Sequence, residues 1–134
     1  MAANERSVQP IRNQEDIVRV RQLTRERALA QGFSLVDQTK IVTAASELAR
    51  NTLDYGGGGE VTVEVLYQGA RKGVRLVFVD HGPGIENIEL ALKDGYTTGG
   101  GLGLGLSGAR RLCNDFDIQS RPGEGTRVAI TRWR

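Results

Sequence analysis

The period with which hydrophobic and polar residues alternate changes several times along the chain. Residues 5–12 fit an edge strand, because Pro10 has no backbone N–H to donate within a central ladder. Apolar residues then recur every three or four positions over residues 13–32 and 34–55, which predicts two helices. Each helix opens with a capping residue that is followed three positions later by an aspartate.

The second half of the chain alternates mainly with a period of two. Such alternation predicts strands, and the more apolar second one is expected to be central in the sheet. Residues 86–93 are predicted to form no more than a short helix. A glycine-rich loop follows and leads into a helix that is predicted to end near residue 114. The strands are predicted at residues 61–67, 74–79, 116–120 and 126–133. Two hairpins with helices between them predict an α+β fold, a two-layer sandwich with a mixed sheet and helices on one face.

Composition narrows the class of protein. The 134 residues predict a single domain, 1–134, with 39% hydrophobic and 25% charged residues. A formal net charge of +2 is too small to indicate binding to nucleic acid or to a membrane. One cysteine, Cys113, excludes an internal disulfide, and its place in an apolar pattern favours a packing role. The chain shows no signal peptide and no membrane-length apolar run, so we expect a cytoplasmic protein.

The richest candidate for chemistry is the segment from Asp94 to Arg111, which reads DGYTTGGGLGLGLSGARR. Glycine lacks a Cβ, so its backbone N–H groups can approach a ligand closely. The segment runs into helix-forming residues, and amides at the start of a helix favour an anion such as phosphate. Leucines interleaved at fixed spacing argue against a simple linker. The pattern therefore predicts a phosphate-binding loop.

The second predicted helix carries a polar stripe opposite its apolar side. Glu47 and Asn51 are four residues apart, which places a carboxylate beside an amide oxygen. Such a pair suits a base next to a hard cation, although most polar stripes are solvated faces. The stripe consists of Lys40, Thr43, Glu47, Asn51 and Asp54.

Asp80 follows an apolar strand and precedes the turn residues His-Gly-Pro-Gly-Ile. A carboxylate at the end of a strand can accept a hydrogen bond from an exocyclic amine such as that of adenine. It can equally satisfy the backbone of its own turn. The D-x-G-x-G pattern alone leaves both interpretations open.

Taken in order, four segments resemble the N, G1, G2 and G3 boxes of the Bergerat-fold (GHKL) ATPases, the superfamily of gyrase, histidine kinases and mismatch-repair proteins. They are Glu47-x-x-x-Asn51, Asp80-His-Gly82-Pro-Gly84-Ile85, Gly99-Gly-Gly-Leu-Gly103-Leu-Gly105 and Gly123-Glu-Gly125-Thr126. Within that superfamily, the short chain and the TTGGGLGLGL segment resemble the serine/threonine switch kinases of bacterial partner-switching pathways.

The resemblance implies a function for each box. Glu47 would be the general base, Asn51 would coordinate Mg²⁺, and Asp80 would bind the adenine amine. Thr126 would assist around the base, and the glycine segment would form a lid over the phosphates of ATP. The implied nucleotide-binding set is Asn51, Asp80, Gly82, Gly84, Ile85, Thr98, Gly99, Gly100, Gly101, Leu102, Gly103, Leu104, Gly105 and Thr126.

Two departures from the family pattern concern the γ-phosphate and the N box. No basic residue lies between Asp94 and Ala109, where related anti-sigma kinases carry one, and Asp54 stands where they often have histidine. The candidates to replace the basic residue are Lys93, Arg50, Lys40 and Arg110.

The implied function is an ATP- and Mg-dependent serine/threonine kinase that phosphorylates a STAS-type antagonist and activates a serine phosphatase by binding it. One alternative is an anti-sigma factor kinase that sequesters an alternative sigma factor. Another is a nucleotide-gated binding module without catalysis. A self-sufficient histidine kinase is excluded, because the single histidine, His81, lies inside the G1 box.

Overall fold

The computed structural model describes residues 6–92 and 105–134. Over these ranges the elements follow the predicted order, with two long helices between the first and second strands. The strands are β1 (Arg6–Ile11), β2 (Gly59–Gln68), β3 (Arg71–Asp80), β4 (Asp115–Arg121) and β5 (Gly125–Trp133). The helices are α1 (Gln14–Ala30), α2 (Leu35–Asp54), α3 (Ile88–Ala91) and α4 (Leu106–Arg111).

The caps of α1 and α2 are the predicted ones. The side chain of Asn13 accepts a hydrogen bond from Asp16 N at 2.9 Å. The hydroxyl of Ser34 accepts one from Asp37 N at 3.1 Å. These bonds satisfy amides that have no partner within the helix, which fixes where each helix begins.

The five strands form one sheet in the order β1-β2-β3-β5-β4, and every pair is antiparallel. The prediction of a mixed sheet is therefore wrong. A crossover through α3 and α4 does carry the chain from β3 to β4, and a crossover usually joins parallel neighbours. Here β5 lies between β3 and β4 and pairs with both, so the strands that the structure describes form no parallel pair.

The hydrophobic core lies between α1, α2 and α4 and one face of the sheet. In α2 the residues predicted for the apolar side are all buried: Ile41, Ala44, Ala45, Leu48, Ala49 and Thr52. Alternate strand residues complete the core: Val61, Val63, Val74, Leu76, Phe78, Val128 and Ile130. The two-layer arrangement with helices on one face, as predicted, puts the last residues of β3 under the end of α2.

Helix α4 ends at Arg111, earlier than the predicted residue 114. Its end is held by Arg132 of β5, whose guanidinium donates to Leu112 O at 2.7 Å and to Asp37 Oδ1 at 2.6 Å. Asn114 N already donates to Thr131 O at 2.9 Å, so the chain has joined the sheet before another helical turn can form. Over residues 6–92 and 105–134, none of the helices combines the length and the hydropathy that a membrane-spanning helix needs.

Candidate functional site

Asp80 is the last residue of β3, and Thr126 is opposite it on β5. Both side chains lie on the face of the sheet that carries the helices. Asp80 is only 8% exposed, and its Oδ1 accepts a hydrogen bond from Gly82 N at 2.9 Å. Burial raises the pKa of the Asp80 carboxyl group, and backbone N–H groups of Gly82 and Thr126 partly offset this effect. Asp80 is therefore a buried hydrogen-bond acceptor that already binds a backbone N–H group of the turn that follows it.

The end of α2 packs directly against this carboxylate. A Cβ added to Gly56 would lie 2.4 Å from Asp80 Cγ, so only glycine fits there. The loop after β3 is held close as well, because a Cβ on Gly82 would lie 2.7 Å from Gly56 Cα. Tyr55 Oη donates to Gly84 O at 2.9 Å and ties the same loop to α2. Gly82, which the family resemblance places in the nucleotide-binding set, thus allows the loop after β3 to pack against the backbone at the end of α2.

A small cavity brings together residues from three of the four boxes. It holds about 20 Å³, the space of roughly one water, so a purine enters only if the described lining opens. Its lining includes Asn51, Asp80, Ile85 and Thr126, together with Leu48, Thr52, Tyr55, Phe78, Leu106 and Val128.

A larger cleft of about 530 Å³ lies at the end of the sheet and shares Asp80 and Thr126 with the small cavity. Its other walls come from the ends of β3 and β5, from β4 and the β4–β5 turn, and from His81 and Ile88, and none comes from α2. Asn51 is not among the residues that line this cleft. The small cavity is therefore the better candidate for a site that joins base and metal.

Glu47 lies one helical turn before Asn51, and both side chains are half-buried. Gly105, at the start of α4, packs against Glu47: an added Cβ would lie 2.6 Å from Glu47 Oε2. Gly105 also has φ +64°, in the left-handed region that favours glycine. The described end of the glycine segment therefore adjoins the carboxylate predicted to be the base.

The structure unites some predicted residues and leaves others apart. Asn51, Asp80, Ile85 and Thr126 line one cavity, Gly82 and Gly84 form the loop beside it, and Glu47 contacts Gly105. Of the polar stripe, Lys40, Thr43 and Asp54 are exposed, as are Arg50 and Arg110. The remaining predicted residues lie outside the described ones: Lys93, Thr98, Gly99, Gly100, Gly101, Leu102, Gly103 and Leu104.

Two residues at the site, Tyr55 and Ser120, were not predicted from the sequence. Tyr55 and Gly56 follow α2 directly and hold the loop after β3. Ser120 lies opposite Thr126 in the β4–β5 hairpin, with the two hydroxyl oxygens 2.8 Å apart. The tight turn between these strands was the available signal, since a hairpin's turn fixes which residues face each other.

The side chains available as metal ligands limit how a metal ion could be bound at this site. Within residues 6–92 and 105–134, no three His, Cys, Asp or Glu side chains cluster closely enough to bind an ion. Mg²⁺ commonly takes one or two protein oxygens and completes its shell with water and substrate phosphates. The amide oxygen of Asn51 fits that pattern. Cys113 is not among the residues that line the small cavity, and burial raises the pKa of its thiol to about 12.

Comparison with known proteins places the chain in a family. Residues 36–133 match the family described as histidine kinase-, DNA gyrase B-, and HSP90-like ATPase. The serine/threonine-protein kinase RsbT of Bacillus subtilis is 43% identical over 130 residues, which cover 97% of this chain and 98% of RsbT. The anti-sigma F factor of Anoxybacillus flavithermus is 32% identical over 74% of this chain and 71% of that protein.

Solved structures agree on the fold. The RsbU and RsbW domains of Rv1364c from Mycobacterium tuberculosis superpose with a TM-score of 0.64 at 21% identity, covering 99% of this chain and 33% of that one. The catalytic domain of the histidine kinase ThkA superposes with a TM-score of 0.54 at 19% identity, covering 96% and 95% of the two chains. The match over residues 36–133 and the whole-length similarity to RsbT show that the chain belongs to the histidine kinase-, DNA gyrase B- and HSP90-like ATPases, and within them to the serine/threonine-protein kinases that RsbT represents.

Proposed function

We propose that this chain uses Mg-ATP to phosphorylate a serine or threonine of a small STAS-type antagonist protein in a cytoplasmic partner-switching pathway. In the same proposal, the kinase released from its antagonist binds and activates a serine phosphatase. One observation carries the nucleotide part: Asn51, Asp80 and Thr126 come from three separate elements and line a single cavity. The whole-length similarity to RsbT supports the kinase part.

Asp80 supplies the recognition of the base. Its carboxylate is buried, and Oδ1 already accepts from Gly82 N, so the group is held in one orientation before a ligand binds. A buried acceptor selects a ligand that donates, because an unpaired partner there is costly. The exocyclic amine of adenine meets that requirement, whereas a 6-oxo purine presents another acceptor.

Glu47 supplies the proton acceptor. In the transfer, the substrate hydroxyl oxygen bonds to the γ-phosphorus, the bond from that phosphorus to the bridging oxygen breaks, and ADP leaves. The hydroxyl proton passes to the Glu47 carboxylate. Glu47 is half-buried on α2 and adjoins Gly105, so it lies at the junction of the helix with the glycine segment. A positioned base contributes about 10²–10⁴-fold to such a reaction.

Asn51 is the residue proposed to hold Mg²⁺, one turn from Glu47 on the same side of α2. When bound, the metal would neutralise charge on the phosphates. The described residues offer no cluster of three ligands, so Asn51 and the nucleotide would share the ion. Two parts of the proposal stay predictions. One is that the glycine segment up to Leu104 contacts the phosphates, and the other is which basic residue contacts the γ-phosphate.

The second candidate is an anti-sigma factor kinase that sequesters an alternative sigma factor. The similarity to anti-sigma F factors favours it, although that similarity covers less of the chain than the similarity to RsbT. A nucleotide-gated module without catalysis is the third. All three share the nucleotide site and differ in the partner and in phosphoryl transfer.

Transfer of label from γ-³²P-ATP to purified antagonist proteins tests the proposal. Label on serine or threonine supports a kinase, and capture of a serine phosphatase supports the switch role. Capture of a sigma subunit supports the second candidate instead. Tight ATP binding with no transfer to any antagonist supports the third, and no heat of binding with Mg-ATP or Mg-ADP would contradict all of them.

A further inference from the structure

Ser120 is the centre of a hydrogen-bond network behind the base end of the site. Its hydroxyl accepts from Ile85 N at 2.7 Å and donates to Gly125 O at 2.9 Å. It lies 2.8 Å from the hydroxyl oxygen of Thr126. Ser120 lines the larger cleft but not the small cavity, which Ile85 and Thr126 line. A role for Ser120 in the small cavity would therefore be exerted through these two neighbours.

The chemistry of the three contacts sets the direction of each bond. A serine hydroxyl has one hydrogen and two lone pairs. The carbonyl of Gly125 cannot donate, so the contact at 2.9 Å uses the single hydrogen of Ser120. All three contacts are satisfied together only if Thr126 donates to Ser120, whose lone pairs then receive Ile85 N–H and Thr126 O–H.

This assignment determines what Thr126 can offer to a ligand. Its single hydrogen is committed to Ser120, so only lone pairs remain on the side of the cavity. Asp80, directly opposite on β3, is likewise an acceptor. The two groups that line the cavity at this point would thus both accept, and both would disfavour a ligand oxygen.

We propose that Ser120 is a positioning residue that fixes the Thr126 hydroxyl as an acceptor and so enforces selection of a 6-amino purine over a 6-oxo purine. The inference rests on the proposed function, in which Asp80 and Thr126 receive the base of ATP. Removing the Ser120 hydroxyl frees the Thr126 hydrogen to turn toward the cavity, where it can donate to a purine O6.

The test measures the affinities of ATP and inosine triphosphate, whose base carries an oxygen in place of the amine, by calorimetry. In the unmodified protein ATP binds more tightly. In Ser120→Ala the preference for ATP falls about tenfold, the value of one neutral hydrogen bond gained by the oxo base. Ser120→Thr keeps a hydroxyl and retains the preference. General loosening of the site would weaken both nucleotides alike and leave their ratio unchanged.

Ser7→Ala is the matched control. Ser7 lies on β1 at the opposite edge of the sheet, where its hydroxyl accepts from Arg27 at 2.9 Å, and its loss leaves the preference unaltered. In a Thr126→Val background, Ser120→Ala has no further effect on the ratio. An unchanged ratio in a folded Ser120→Ala protein overturns the inference, as does equal affinity of the unmodified protein for the two nucleotides.

If Ser120→Ala does not fold, as judged by circular dichroism, the Thr126→Val variant alone tests the inference. If Thr126 is an acceptor, Thr126→Val lowers the preference for ATP over inosine triphosphate about tenfold. An unchanged preference in Thr126→Val overturns the inference. Failure of the proposed function gives a different result, because the unmodified protein would then bind neither nucleotide.

Discussion

The two ends of the candidate site are held in different ways. At the base end, Asp80 and Thr126 pair across the β3–β5 ladder, and the Ser120 hydroxyl makes three contacts of 2.7 to 2.9 Å. At the other end, Glu47 and Asn51 are half-buried on one helix, beside the first described residue of the glycine segment.

The difference indicates where the protein is preorganised. Groups locked by a strand ladder lose little freedom when a ligand arrives, so they suit recognition. Half-buried groups on a helix face keep access to a second substrate and to an ion, so they suit transfer. We therefore expect substitutions of Asp80 and of Glu47 to separate affinity from turnover.

The largest effect is expected from Glu47→Ala. Phosphoryl transfer should fall by about 10²–10⁴-fold because the proton acceptor is lost, while ATP affinity changes little. Single-turnover transfer and calorimetry on the same samples measure the two quantities. Asp54→Ala is the control, since Asp54 belongs to the same stripe but is exposed. Persistent transfer in Glu47→Ala would remove Glu47 from its proposed role.

The Asp80→Asn substitution changes the end of the site that is proposed to bind the base. ATP affinity should fall by about 10- to 100-fold, since a buried charged acceptor becomes an amide. The same change should raise or maintain the melting temperature at neutral pH. Burial raises the pKa of Asp80, so its ionised form costs stability, and the neutral amide avoids that cost. Unchanged affinity for ATP would contradict the assignment of Asp80.

The raised pKa of Asp80 also predicts how binding depends on pH. As pH falls through that pKa, the carboxylate takes up a proton and becomes an uncharged, weaker acceptor for the amine, so affinity falls at a higher pH than for an ordinary aspartate. The nucleotide titrates too, so the informative quantity is the difference between the pH profiles of the unmodified protein and of Asp80→Asn. Parallel profiles would argue against a titrating Asp80.

The smallest effect is expected from Asn51→Ala. Affinity for ATP in the presence of magnesium should fall about tenfold and become insensitive to the metal. Titration of magnesium at fixed nucleotide measures this, with Thr43→Ala, on the same stripe but exposed, as the control. If the magnesium dependence survives, the ion is held by other groups.

Much of this arrangement is predictable from local patterns. The caps at Asn13 and Ser34, the buried side of α2 and the strand that ends at Asp80 follow from residue periodicity and capping chemistry. The four boxes, read in order, led to the family that the comparisons show. The errors, a mixed sheet and a longer α4, arose where one strand inserts between two others and where the chain joins β5 early.

By itself, the sequence determined the elements, the order of the boxes and the residue types able to bind base, metal and phosphate. Only the tertiary structure decided that Gly56 packs on Asp80, that Glu47 meets Gly105, and that Ser120 holds Thr126. The physical reason is the sequence distance over which each effect acts. Propensity, capping and periodicity act over a few neighbouring residues. The site, in contrast, depends on strand register and on contacts between segments far apart in the chain, which no local pattern specifies.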